Sequence, residues 1–235
     1  VTGASSSIPF KDAFKEYFTQ KNLGIIISFI LLYRFGEGLL LKMAQPFLLD
    51  KVTSGGLGMT LTEVGLIYGT FGILALVLGG IFGGWLIKKF GLKKLIWPLA
   101  FSIHLPNLLY VYLAVVKPDT VWHLNIPLLT FGLWLVPFHP VVQICIIIEQ
   151  FGYGLGFSSF MVYLLYISKG RYKTSHYAIS TGLMAIGMML PGFISGWLQQ
   201  QIGYLWLFII SVIATIPGLL TIFFLPFNRE SENNS

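Results

Sequence analysis

Six apolar segments, each long enough to cross a bilayer as a helix, dominate this chain: residues 23–49, 62–87, 95–116, 138–168, 175–200 and 204–226. A crossing takes about 20 helical residues. Inside hydrocarbon every backbone N–H and C=O must find a partner within the protein, so only helices and closed barrels span. A membrane barrel needs polar and apolar residues in alternation. Runs such as Ile25-Ile26-Ile27 and Ile146-Ile147-Ile148 break that alternation. Of 235 residues, 55% are hydrophobic and only 10% charged, against roughly 25% charged in a soluble domain. That balance excludes a soluble, disordered or coiled-coil chain. One cysteine, Cys145, excludes a disulfide framework and a cysteine-rich zinc site. The predicted fold class is all-α: a polytopic membrane bundle of six transmembrane helices.

Basic residues orient such a bundle, because loops rich in Lys and Arg stay on the cytoplasmic side. Lys11, Lys15 and Lys21 precede the first segment. Lys88, Lys89, Lys93 and Lys94 follow the second, Lys169, Arg171 and Lys173 follow the fourth, and Arg229 lies in the tail. The other side carries only Lys51 and Lys117. Both termini are therefore expected in the cytoplasm. The net charge of +6 is largely this asymmetry, and nothing in it points to nucleic acid.

Three regions follow along the chain. Residues 1–22 read as a cytoplasmic linker, 23–227 as the membrane domain and 228–235 as a cytoplasmic tail. Within the linker, 8–22 has Phe10, Phe14 and Phe18 at every fourth position with Lys and Glu between them. This predicts a helix lying on the inner membrane surface. No cleavable signal follows. Stretch 122–168 has no charge between Trp122 and Glu149, so two spans are conceivable there. No turn signal exists near Glu149-Gln150, and seven spans would put Lys169, Arg171 and Lys173 outside. One long fourth span is expected instead. An interfacial or partly inserted piece, Trp122 to Pro137, would precede it, anchored by Trp122 and Trp134.

The loop after the second segment reads Gly84-Trp85-Leu86-Ile87-Lys88-Lys89-Phe90-Gly91-Leu92-Lys93-Lys94. Gly84, Lys89, Gly91, Lys93 and Lys94 match the loop signature of the major facilitator superfamily, and Lys88 stands where that family usually has Asp. Further matches are Tyr33, Arg34, Gly36 and Glu37 in the first segment, and Glu149, Gly154 and Gly156 in the fourth. Gln150 replaces a usual Asn, and His176 a usual Gln. Together these residues resemble the second half of AmpG-type muropeptide permeases, in the peptide/acetyl-coenzyme A transporter family. The resemblance implies half of a twelve-helix major facilitator fold in a bacterial cytoplasmic (inner) membrane. It implies a missing N-terminal six-helix half, a gating role for the signature loop and a muropeptide sugar carried inward with protons. The start at Val1 rather than Met reads as a cut through a central loop.

Polar residues inside spans carry the mechanism, since each is costly in lipid and should face the bundle interior. Arg34 and Glu37 lie i, i+3 and can pair. Either Glu37 takes up the coupling proton while Arg34 tunes it or binds a substrate anion, or the two form a permanent structural pair. Glu149 shares a face with Tyr153 and Gly156. It either couples or contacts substrate, or is hydrogen-bonded across close helix packing. His176, one turn from Ser180, is expected at an inner gate. Tyr153, Tyr163 and Tyr166 offer rings for a sugar, or simply pack. Glu63 reads as a helix cap, and Lys42 as a snorkelling residue. Gly79, Gly80, Gly83 and Gly84, with Gly192 and Gly196, read as packing faces. Pro106, Pro191 and Pro217 read as kinks. His104 with Asn107, and His139 with Gln143, read as hydrogen-bonded packing residues.

The function expected is secondary transport by alternating access, driven by a proton gradient, with no cofactor and no metal. The partners expected are the bilayer, the other half and a small-molecule substrate. A transporter of another solute, and a stand-alone six-helix channel or scaffold, remain open. Hydrolase and protease signatures are missing, so no enzyme is expected.

Overall fold

The computed structural model describes residues 10–124, 136–168 and 170–227, with the side chains of Phe10, His123, Leu124 and Val136 excepted. The described chain is almost wholly helical. The helices are α1 (Phe10–Phe18), α2 (Leu23–Tyr33), α3 (Phe35–Leu49), α4 (Leu61–Leu66), α5 (Ile73–Phe90), α6 (Leu92–His104), α7 (Leu108–Val116), α8 (Pro140–Ile167), α9 (Lys173–Ile213) and α10 (Ile216–Thr221). Five helical stretches are long and apolar enough to cross a membrane: Leu23–Leu49, Leu61–Phe90, Leu92–Val116, Pro140–Ile167 and Lys173–Phe224.

The last stretch, 52 residues, covers both the fifth and the sixth apolar segments. A straight helix of that length would reach about 78 Å, far beyond a bilayer core of ~30 Å. It is not straight. Gly203, at φ 76° and ψ 172°, leaves the helical region, a conformation that only glycine adopts freely. Gly187 lies against the backbone of Leu31, and Gly218 against Leu32 and Tyr33. Positions almost equidistant from Gly203 thus reach the same level of α2, so the chain folds back there as two antiparallel arms.

Other stretches are interrupted within a continuous path. Arg34 (φ −105°, ψ 6°) separates α2 from α3. A π-helical turn, Ile67–Gly72, joins α4 to α5. Pro106 sits in a 3-10 turn, Leu105–Asn107, between α6 and α7. Pro191 is accommodated inside α9, and Pro217 starts α10. By contrast α8 runs unbroken through Glu149 and Gln150.

Close backbone contact holds α8 in place. A Cβ on Gly154 would stand 2.2 Å from the Leu76 carbonyl oxygen of α5. One on Gly152 would stand 2.1 Å from the Ser102 oxygen of α6, and one on Gly156 2.5 Å from that of Leu99. The helix is therefore wedged between α5 and α6 with bare backbone on both flanks. On α5 the glycines divide. Gly79 and Gly83 meet Phe151, Leu155 and Ser158, and Gly80 lies against Gly154 and accepts from Ser158 Oγ at 2.9 Å, whereas Gly84 meets nothing within 4 Å. The expectation of packing at all four is corrected at Gly84, which points away from α8. Gly192 packs on the stem of Lys42, whose head stays exposed.

Two apolar clusters fill the bundle. One gathers Phe47, Tyr110, Ile146 and Phe208 at the end where α4 and α8 begin. The other gathers Phe29, Tyr33, Phe160 and Tyr163 at the end carrying the basic joints. At the far end, β1 (Trp122–Leu124) pairs antiparallel with β2 (Val136–Phe138). Trp122 is exposed, while Trp134 and the rest of 125–135 lie outside the described residues. Helix α1 docks Ala13 and Tyr17 onto the bundle and leaves Phe14 and Phe18 exposed. The surface helix expected from the sequence thus has a third, protein-facing side that the spacing of its phenylalanines does not reveal.

Gly79→Ala should lower stability by about 1–3 kcal/mol, because the new methyl overpacks against the Phe151 carbonyl. Gly84→Ala on the same helix should not lower it. Thermal unfolding of the two variants in detergent checks the contrast.

Candidate functional site

A polar layer separates the two apolar clusters, and three of the five long helical stretches contribute to it. Arg34 and Glu37 come from the α2–α3 joint, Glu149 and Tyr153 from α8, and His104 and Asn107 from the α6–α7 joint. All lie near the middle of their stretches, where a charge is most expensive in lipid.

Arg34 is the best-partnered residue of the layer. Its Nη2 donates to Glu37 Oε1 at 2.8 Å and its Nε to Glu37 Oε2 at 3.1 Å. Nη2 also donates to the Tyr153 hydroxyl, and Nη1 reaches Met184 Sδ at 3.7 Å. Its guanidinium carbon lies 4.9 Å from the Phe157 ring centre and 5.3 Å from that of Tyr153. Arg34 is 2% exposed and Glu37 1%. The two charges cancel in a fork-to-fork pair, the strongest geometry for these groups. Gly36 and Gly38 seat this segment between the arms of α9, their Cβ positions lying 2.3 Å from Ser211 oxygen and 2.6 Å from Pro191 Cγ. The matched Tyr-Arg-x-Gly-Glu pattern therefore combines an ion pair with the small residue that lets it sit deep.

Glu149 differs. It is 3% exposed, and Gln150 Nε2 donates to it at 2.9 Å. Among the described residues no cation lies within ion-pair distance of it. The Tyr110 hydroxyl faces it, and Glu37 is within electrostatic reach. Beyond Arg34, His104 presents both ring nitrogens, and Asn107 its amide nitrogen, to no hydrogen-bond partner among the described residues. The expectation that His104 and Asn107 are hydrogen-bonded packing residues is corrected: both are buried with those nitrogens unpartnered, and the Tyr33 ring lies 5.0 Å from that of His104.

His176 stands apart from this layer. Its Nδ1 is 3.4 Å from Gln20 Nε2, and its ring lies 5.6 Å from that of Tyr17. The Tyr17 hydroxyl reaches Ser180 Oγ at 2.9 Å, and burial pushes that phenol up. Beside His176 opens a cavity of about 390 Å³ that Glu16, Lys21 and Tyr166 also line. Met184, two turns along α9, is the nearest link from this end to Arg34. In the signature loop, Gly91 at φ 82° forms the joint between α5 and α6. Lys89 lies 5.1 Å over Trp85, and Lys88, Lys93 and Lys94 share the same end.

At the opposite end, Thr60 caps α4 and Glu63 completes the capping box; the cap is Thr60, not Glu63 itself. Glu63 Oε1 also pairs with His139 Nε2 at 3.1 Å. Sequence reasoning passed over this pair, and over Phe157, Met184, Tyr68 and Tyr110. For Phe157 a signal existed, since it lies i+4 from Tyr153. The others meet only across helices.

Comparison with known proteins bears out the resemblance read from the motifs. No family model matches the chain. A putative transporter AmpG 2 of Rickettsia typhi is 28% identical over 217 residues, covering 92% of this chain and 47% of the relative. The anhydromuropeptide permease of Escherichia coli K12 is 24% identical over 226 residues, covering 93% and 40%. An uncharacterized protein of Haemophilus influenzae is 24% identical over 241 residues, covering 97% and 51%. The chain is similar to membrane transporters, not to enzymes. More narrowly it is AmpG-like along nearly its whole length, and it spans about half the length of the curated relatives it matches.

Removing one partner of the Arg34–Glu37 pair leaves a buried charge uncompensated. Arg34→Met or Glu37→Met alone should cost about 3–5 kcal/mol. The double variant should recover most of that loss in thermal unfolding, because no charge is then stranded.

Proposed function

We propose that this chain is half of a proton-coupled secondary transporter in a bacterial inner membrane. In this reading it crosses six times, with both ends in the cytoplasm. The reversal at Gly203 supports the sixth crossing, and the basic end at Lys88–Lys94 and Arg171 supports the orientation. The names of the relatives favour anhydro-muropeptides as cargo. The missing half supplies the other wall of a central cavity, and rocking of the halves alternates its access.

One observation carries the coupling reading. The layer holds two carboxylates, and only one is neutralised in place. Glu37 already has its counter-charge in Arg34, so it serves as a structural pair that fixes the joint. Glu149 has none. A lone buried carboxylate is stable neutral and unstable charged. Loading it with a proton removes that penalty and favours movement of the bundle past its apolar neighbours, while losing the proton on the other side reverses the bias. Glu149 is therefore the proton carrier and Tyr153, held by Arg34, a wall of the substrate cavity. His176 and the signature loop act at the cytoplasmic gate.

In the full-length protein, Glu149→Gln should cut proton-driven uptake of labelled anhydro-muropeptide by about a hundredfold. Exchange of labelled for unlabelled cargo, which needs no net proton movement, should persist. Undiminished proton-driven uptake in that variant overturns the assignment. Uptake of another solute that anhydro-muropeptides do not compete for would keep the mechanism and replace the cargo.

A further inference from the structure

A carrier carboxylate sealed between apolar clusters needs a route for its proton. The Tyr110 hydroxyl, on α7, faces Glu149. It is also 2.5 Å from the hydroxyl of Tyr68. Tyr110 is 1% exposed, whereas Tyr68 is only partly buried. Tyr68 is thus the most accessible of the three, and Tyr110 and Glu149 are both nearly inaccessible. Tyr68 belongs to the π-helical turn Ile67–Gly72. Such a turn inserts one residue into the helix and re-aims its side chains, and it is found most often at functional sites. Here it stands at the level where α4–α5 passes α7. Toward the helix starts, Gln143 is 2% exposed with neither amide atom partnered among the described residues. A buried group in that state marks a place for water. One turn further lie His139 and Glu63.

We infer that Tyr68 and Tyr110 form a hydroxyl relay that delivers protons to Glu149 from the end of the bundle carrying Glu63 and His139. This rests on the reading of Glu149 as the proton carrier. The groups facing Glu149 are Tyr110, Tyr68, Tyr153, Gln150 and the Arg34–Glu37 pair; Cys145 lies beside Tyr110. Of these only the two linked phenols run toward that end. In the step, a hydronium ion at Tyr68 gives its proton to the Tyr68 oxygen. The original Tyr68 proton passes to the Tyr110 oxygen, and that of Tyr110 to a Glu149 oxygen. One proton enters, one arrives, both phenols end neutral, and rotation of the two hydroxyls resets the chain.

The test uses the full-length protein in sealed vesicles and needs no cargo. After a drop in pH on the Glu63–His139 side, infrared absorption follows the carbonyl band of a newly protonated carboxylic acid. Glu149→Gln should remove that band. Tyr68→Phe and Tyr110→Phe keep the ring packing, including Tyr110 against Phe208, and should delay the band about tenfold. Tyr204→Phe removes a phenol bonded instead to Asp50 and should leave the rate unchanged. A band lost in Glu149→Gln yet undelayed in Tyr68→Phe and Tyr110→Phe overturns the relay and leaves Glu149 as carrier. Equal delay in all three Tyr→Phe variants also overturns it. A band that survives Glu149→Gln overturns the carrier reading and the relay with it.

Discussion

The burial of Arg34 is the constraint on which the rest of the structure turns. A guanidinium cannot shed its charge, so its cost in a membrane is met only by partners. It receives a carboxylate fork from Glu37, a phenol oxygen from Tyr153, two aromatic faces and a thioether. Those partners come from α3, α8 and α9. One side chain thereby touches three helices, and sliding α8 or α9 past it would forfeit its phenol, ring and thioether contacts while Glu37 stays paired. The non-helical backbone at Arg34 follows from the same demand: a break between α2 and α3 lets one residue serve both.

That convergence then sets where the glycines must be. Three helices converge on a polar side chain only if their backbones come close, and closeness comes from removing Cβ atoms. Gly36 and Gly38 admit α3 between the arms of α9, while Gly152, Gly154 and Gly156 admit α8 between α5 and α6. In lipid the hydrophobic effect does not drive helices together, so such contacts carry the association themselves. The apolar rows left exposed on α5 and α9, Leu78 and Phe82 or Phe193 and Trp197 among them, fit a bundle whose solvent is hydrocarbon or another apolar wall.

Much of this was legible in the sequence, for identifiable reasons. Apolar runs report spans directly, because burial in lipid allows no polar face. Arg34 and Glu37 were readable as a pair, since i, i+3 spacing settles their proximity without knowledge of any other helix. Glu149 was readable as buried but not as unpaired, because the absence of a counter-ion depends on every helix around it. The Tyr68–Tyr110 bond and the Glu63–His139 pair were illegible, joining residues 42 and 76 positions apart through packing alone. That Gly84, unlike Gly79, Gly80 and Gly83, meets no neighbour needed the position of α8.

Chemistry divides the two carboxylates where composition does not. Both are nearly inaccessible, both sit in the middle layer, and each falls in a matched motif. What separates them is electroneutrality. The Arg34–Glu37 pair is neutral as a unit with both groups ionised, so protonating Glu37 would create a net charge in the layer. Protonating Glu149 removes one. A low-dielectric layer tolerates the neutral state and resists the charged one, and this is the physical ground on which the proposed function assigns the proton to Glu149. In the function proposed above, the pair with the denser contacts is therefore the scaffold, and the sparsely bonded carboxylate beside it is the group that changes state.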